Sequence, residues 1–384
     1  MKPIIKIILV CAIVAIIGLI IYFVWSALAP TPQIPAPQTS NPNLPIVPGN
    51  GGGQENSGSA SSSQGSAAGT PVKISENPVF DYWIDPQTKE IYYLNPEGQV
   101  FSAKDGEDLE ITQQKLPAPN SIQVSPNGQR VLAAFGDPRA PQWGAFDVID
   151  GTWQPLPSDI LAAAWGKDGN TLTATVKNGS FINLSSVNLS QNPVSYKTIV
   201  SDFRFQDAKF SFQSPNNLII SEVPSAYYPS RIWNFSMTDK SFNLLFSPEN
   251  GLTEKTSSDG NLMFVDSTDG GFRILNTQTL GIAVPIPFST FPSKCSPDSS
   301  VIYCFVPRES DAFSKAVLPD DYLTGDLKTD DLLYKIDVSS DDAEPIEITG
   351  SAGAIDAKNP QVTGGVLYFI NRYDDGLYSL KLAS

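Results

Sequence analysis

Seven times between residues 85 and 371 the chain repeats one local pattern, a polar turn followed at once by a short, strongly apolar strand. The turns read Asp85-Pro86-Gln87-Thr88, Ser125-Pro126-Asn127-Gly128, Gly166-Lys167-Asp168-Gly169, Ser214-Pro215-Asn216-Asn217, Ser257-Ser258-Asp259-Gly260, Ser296-Pro297-Asp298-Ser299 and Val362-Thr363-Gly364-Gly365. The strands behind them are EIYYLN (90–95), RVLAAF (130–135), TLTATV (171–176), NLIISEV (217–223), NLMFVDS (261–267), VIYCFV (301–306) and VLYFIN (366–371). A tight reversal needs a fixed φ, a side chain that caps its own backbone, and then a positive φ; Pro, Asp or Asn, and Gly supply these in succession. The first six turns lie 39 to 48 residues apart, and a longer step of about 65 leads to the seventh.

A period of about 40–45 residues is that of propeller blades built from four strands each. Four strands are readable in the second unit, SIQV (121–124), RVLAAF, WGAFDVID (143–150) and WQPL (153–156). They are readable again in the fifth, LTEKT (252–256), NLMFVDS, FRILNTQ (272–278) and IAVPIP (282–287). These strands alternate or are continuously apolar, as central buried strands are, and no segment after residue 30 carries a 3.6-residue stripe. The last unit stops after its third strand, GLYSLKL (376–382), while PVKISENP (71–78) has no unit of its own. The economical arrangement gives residues 71–78 to the last blade as its outer strand, closing the ring and removing the open sheet edge.

The Ser-Pro-Asp/Asn turns at Ser125, Ser214 and Ser296, with Ser258-Asp259-Gly260, resemble the repeats of TolB-type, WD-like bacterial propellers over roughly residues 80–384. The first, third and seventh units depart from that pattern. The resemblance implies an all-β, seven-bladed propeller and says little about activity, because such propellers serve as receptors, scaffolds and lids.

The amino-terminal part is of another kind. Residues 7–29 form an uncharged apolar run, long enough at ~1.5 Å per residue to cross a ~30 Å hydrocarbon layer as one helix. Tyr22 and Trp25 lie near its far end; Lys2 and Lys6 precede it, and the next basic residue is Lys73. The positive-inside bias keeps residues 1–6 in the cytoplasm and sends the rest outward. A cleaved signal peptide is the rival reading, but its apolar core would be shorter and Pro30 would obstruct cleavage after Ala29. Residues 30–70, rich in Pro, then Gly and Ser, read as a disordered linker, leaving 71–384 as the propeller domain.

Beyond the apolar run, 23 basic residues face 40 acidic ones, a field that repels nucleic acid and anionic lipid. The chain holds no histidine, which excludes Ser-His-Asp and Cys-His catalysis and His-ligated metal. No cofactor is called for. Acidic runs such as 266–270, 337–342 and 374–376 read as turns, since none has calcium-loop spacing. Cys295 and Cys304 flank the sixth hairpin and would face each other as a disulfide if the turn is centred between Ser299 and Ser300.

The loops joining second and third strands emerge on one face of such a ring. They are long in units two, four and six, at 136–144, 224–231 and 307–331. They carry Arg139, Trp143, Tyr227, Tyr228, Arg231, Asp320, Asp321 and Tyr322, residue types used at interface hot spots. The bland alternative is that these rings fold back and complete the core. The sequence therefore points to a membrane-anchored module that binds an envelope protein. The alternative is a carbohydrate-binding or carboxylate-based glycan-processing domain, which would need two acidic residues converging in a cleft.

Overall fold

The computed structural model describes residues 67–382, apart from 105–106, 192, 206–207 and 351–352. The expected membrane span and nearly all of the expected linker lie outside the described residues. Among those described, no helix is long and apolar enough to cross a membrane.

Residues 81–381 fold into seven consecutive antiparallel sheets, each contributing four successive strands except the last. In chain order the blades occupy 81–110, 119–155, 160–200, 208–249, 253–284, 295–348 and 357–381. The apolar strand after each turn is the second of its blade, and Arg130–Phe135, Asn217–Glu222 and Val366–Asn371 match the sequence reading closely. Val72–Lys73 supplies the missing strand of the seventh blade, Val72 opposite Ser379 and Lys73 opposite Tyr378. The ring closes as expected.

Closure is reinforced at several points. Ile74 N–H donates to the Leu377 carbonyl at 2.8 Å, and Leu377 N–H donates to Ser75 Oγ at 3.0 Å. The Tyr82 hydroxyl of the first blade donates to the Asn359 and Tyr368 carbonyls of the last, both at 2.8 Å. Asp108 gathers the Glu76 and Asn77 backbone N–H groups at 2.8 and 3.0 Å, which fixes the connecting segment. Ala67–Ala68, at the end of the stretch read as linker, adds a parallel fifth strand beside Glu347 and Ile348 of the sixth blade.

Among the described residues there is no single central core. Seven apolar clusters sit as wedges between neighbouring blades. Trp83, Tyr92, Val131 and Phe146 join blades one and two, Ile219, Ile232, Met263 and Val265 join four and five, and Tyr82, Tyr93, Ile370 and Leu377 join seven and one. Each blade is covered on both faces by its neighbours, the reason its middle strands are almost wholly apolar.

The turns explain their own sequence. In the second blade Gly128 takes φ +74°, the Arg130 N–H donates to Ser125 Oγ at 2.9 Å, and Ser125 Oγ donates to Asn127 Oδ1 at 2.7 Å. The fifth repeats this with Gly260 at φ +78°, Leu262 N–H on Ser257 Oγ at 2.9 Å, and Asp259 accepting from Asn261 N–H. A Cβ on Gly260 would lie 2.1 Å from the Gln213 carbonyl oxygen of the preceding blade. The glycine thus serves both the turn and the close seating of one blade on the next.

One feature of the sixth blade differs from the sequence expectation. The long loop of the sixth blade contains two five-residue helices, Asp311–Lys315 and Asp320–Thr324, too short to show a helical stripe. It is also the reason for the long last interval. Cys295 and Cys304 pair in register and form the expected disulfide, with Cα atoms 4.1 Å apart.

Candidate functional site

Antiparallel connectivity puts the loops between second and third strands on the same face as the links between blades. On that face the three long loops meet around the channel mouth. Pro138, Arg139 and Pro141 of the second blade and Val223 at the root of the fourth-blade loop border one cavity of about 650 Å³. Val223 and Pro224 border a second, of about 320 Å³, with Pro319, Tyr322 and Leu323 of the sixth-blade loop. The fourth and sixth loops are also joined directly. Asp320 accepts the Ala226 N–H at 3.0 Å and the Ser225 hydroxyl at 3.4 Å.

The eight predicted residues divide into two groups. Tyr227 and Tyr228 are 69% and 76% exposed, and Arg139 is exposed too. Arg231 is partly exposed and lies 3.5 Å from Glu222. The others hold the loops in place. Trp143 packs on the apolar wedge between blades two and three, and its Nε1 donates to the Leu161 carbonyl at 3.3 Å. Asp321 accepts the Val317 N–H at 2.7 Å. Tyr322 is only 6% exposed and stacks on Phe291 with centroids 4.0 Å apart. The folding-back alternative therefore describes Trp143, Asp320, Asp321 and Tyr322, and leaves the fourth-blade tyrosines in solvent.

What anchors the sixth-blade loop was not read from the sequence. Lys294, on a short 3₁₀ turn before the blade, is fully buried and donates to Asp331 at 2.5 Å and Asp356 at 2.7 Å. It also donates to Thr329 Oγ1 at 3.0 Å and the Ala357 carbonyl at 3.1 Å. Arg372 stands 3.3 Å from the other Asp356 oxygen, donates to the Tyr322 carbonyl at 3.2 Å, and lies 4.3 Å above the Tyr322 ring. Burial by itself lowers the Lys294 pKa, but the fields of Tyr322, Asp331 and Asp356 outweigh it and hold the ammonium charged, above its ordinary range. Every donor of this lysine is occupied, so the cluster ties the loop's end to the seventh blade and leaves no valence for chemistry.

The central channel is a third cavity, of about 390 Å³, walled by first strands of the blades. Lys209, Lys255 and Lys358 line it together with Asp81 and Glu254. Lys209 borders all three cavities, and Glu254 borders both the channel and the 320 Å³ pocket. A lysine on a first strand, as at Lys209, Lys255 and Lys358, was the available signal for this lining. The acidic runs behave as turns: Asp374 accepts the Gly376 N–H at 3.1 Å and the Lys73 ammonium at 2.8 Å, and Asp337 accepts the Ser339 N–H at 2.8 Å.

No known protein-family profile matches the chain, and no curated protein is significantly similar to it in sequence. Similarity in structure is extensive. The β-propeller domain of Cps50 (Swd1) from Myceliophteria thermophila superposes with a TM-score of 0.54 at 8% identity, over 82% of this chain and all of the other. The fold is that of a WD-like propeller. TolB from Acinetobacter baumannii aligns at 14% identity over 69% of this chain and 63% of its own, with a TM-score of 0.39.

Proposed function

We propose that this protein is a membrane-anchored, extracytoplasmic propeller that binds another protein of the cell envelope through its long-loop face. The observation that carries the reading is the platform formed where Asp320 locks the sixth-blade loop onto the fourth. That platform is braced from beneath by the Lys294 cluster and leaves Val223, Tyr227, Tyr228 and Leu323 in solvent. Exposed apolar and aromatic side chains on rigid loops supply contact area at little entropic cost, as interface anchors require. A binding role also suits a chain without histidine, whose buried Lys294 has every donor engaged. For location, the support is the apolar run Ile7–Ala29 behind Lys2 and Lys6, together with a disulfide suited to an oxidising compartment.

The test is chemical cross-linking and capture from envelope extract with the full-length chain in mild detergent. The Tyr227→Ala/Tyr228→Ala/Leu323→Ser variant is compared with Ile149→Ala, which removes an equally exposed apolar residue from a turn on the opposite face. Loss of a specific partner in the triple variant alone supports the platform, and an unchanged set of captured proteins overturns it. Protease protection in intact cells checks the orientation, since residues 67–382 should be accessible from outside.

A further inference from the structure

The charge inside the channel runs against the charge of the whole chain. The protein carries −15 overall, yet three lysines line the channel against two carboxylates. Among the described residues none of the three is ion-paired. Lys255 Nζ donates to the Cys295 carbonyl at 2.8 Å, and Lys358 Nζ donates to the Phe80 carbonyl at 2.7 Å. Asp81 is engaged by Asn359 Nδ2 at 2.8 Å. Burial and the neighbouring Lys209 push the Lys255 ammonium down to about 8, so it stays largely protonated at neutral pH. A low-dielectric funnel in which one sign of charge is in excess focuses that field and concentrates ligands of the opposite sign.

Glu254 adds a second requirement. Only 9% exposed, it receives the Ser221 hydroxyl on Oε1 at 2.8 Å, while Oε2 is buried without a hydrogen-bond partner. A buried acceptor left unmade is costly, so this wall of the channel calls for a donor. On the far side of Glu254 lies the 320 Å³ pocket, walled by Val223, Leu252, Phe291 and Leu323. Anion, donor and apolar group are therefore demanded side by side.

We propose that the channel mouth receives the carboxyl end of a peptide chain, with its terminal carboxylate among Lys209, Lys255 and Lys358, a main-chain N–H on Glu254, and an apolar terminal side chain in the adjoining pocket. This deepens the partner-binding reading of the same face and rests on it. Backbone-end capture of this kind draws specificity from the terminal charge. Inorganic phosphate has no apolar group for the adjoining pocket, and a fatty acid has no N–H for Glu254.

The test is isothermal titration of the full-length chain in detergent with acetyl-Ala-Ala-Leu, its C-terminal amide, hexanoate and inorganic phosphate. The free acid should bind, and the amide should bind at least about ten-fold more weakly, the usual effect of deleting one partner of a desolvated charge contact. Lys209→Ala, an exposed position that leaves the fold intact, and Lys255→Met/Lys358→Met should each weaken the acid by a similar factor. No binding of the acid, equal binding of acid and amide, or hexanoate or phosphate binding as tightly as the peptide overturns the proposal. Ile149→Ala, on the opposite face, should bind the peptide as wild type does. Failure of the titration with capture by the platform retained removes only this inference; loss of capture dependence with intact peptide binding removes only the platform.

Discussion

Replacing Lys294 by Met keeps the length of the side chain and removes only its ammonium, which isolates the electrostatic role of the buried cluster. In the native protein that ammonium holds two fully buried carboxylates, Asp331 and Asp356, together with Thr329 and the Ala357 carbonyl. Without it Asp356 keeps Arg372 at 3.3 Å, but Asp331 keeps only the Thr329 hydroxyl and the Ala357 N–H, at 2.8 Å each. Leaving a buried charge without its partner typically costs about 3–5 kcal/mol. With an unfolding entropy of ~2.1 cal/mol/K per residue over roughly 310 residues, that loss lowers the melting temperature by about 5–8 °C. Circular dichroism melts and urea titrations of the full-length chain measure it directly. Adding Asp331→Asn should recover roughly 1–3 kcal/mol, because the remaining Asp356–Arg372 pair is neutral overall. The sixth-blade loop should also become more sensitive to protease in the single variant, since Thr329 and Asp331 stand at its end. A single-variant loss below about 1 kcal/mol, or a double variant no more stable than the single, would refute the account of Lys294 as an electrostatic anchor.

Gly260→Ala should cost about 2 kcal/mol or more, because φ +78° and a Cβ 2.1 Å from the Gln213 oxygen act together; a melt unchanged from wild type sinks that reasoning. Burial raises the Asp266 carboxyl to about 7 against the opposing pull of Arg273. Its protonated form is the one the fold favours, so that contribution is complete below the usual carboxylate range and is lost as pH rises through 7. Asp266→Asn should therefore gain on the order of 2 kcal/mol relative to wild type between pH 5 and 8, and a pH-independent difference contradicts the shift. Deleting residues 67–78 uncovers the outer edge of the seventh blade at Gly376–Lys381 and should yield concentration-dependent oligomers by light scattering, whereas a stable monomer would mean that the edge is harmless.

Much of the architecture is written in local patterns. The turns state where each blade reverses, and the apolar strands behind them state which strand is central, because both depend on interactions within a dozen residues. The in-register pair Cys295 and Cys304 is of the same kind, being fixed by a short hairpin. Even ring closure by Val72–Lys73 followed from counting strands, since one blade lacked a fourth and one segment lacked a sheet. The eight loop residues were found as a set but could not be sorted, and Tyr322 shows why. Whether a loop tyrosine faces solvent or stacks on Phe291 depends on a residue 31 positions earlier in the chain and on Arg372, 50 positions later.

The amino-acid sequence alone thus determined the number of blades, the reversals between strands and the strand that shuts the ring, because hydrophobic period and turn chemistry act over short distances. Only the tertiary structure decided that Lys294 meets Asp331 and Asp356, and that Lys209, Lys255, Lys358 and Glu254 face one channel. Those encounters join residues from different blades, and their geometry exists only once the seven wedges between blades are packed and the ring is closed.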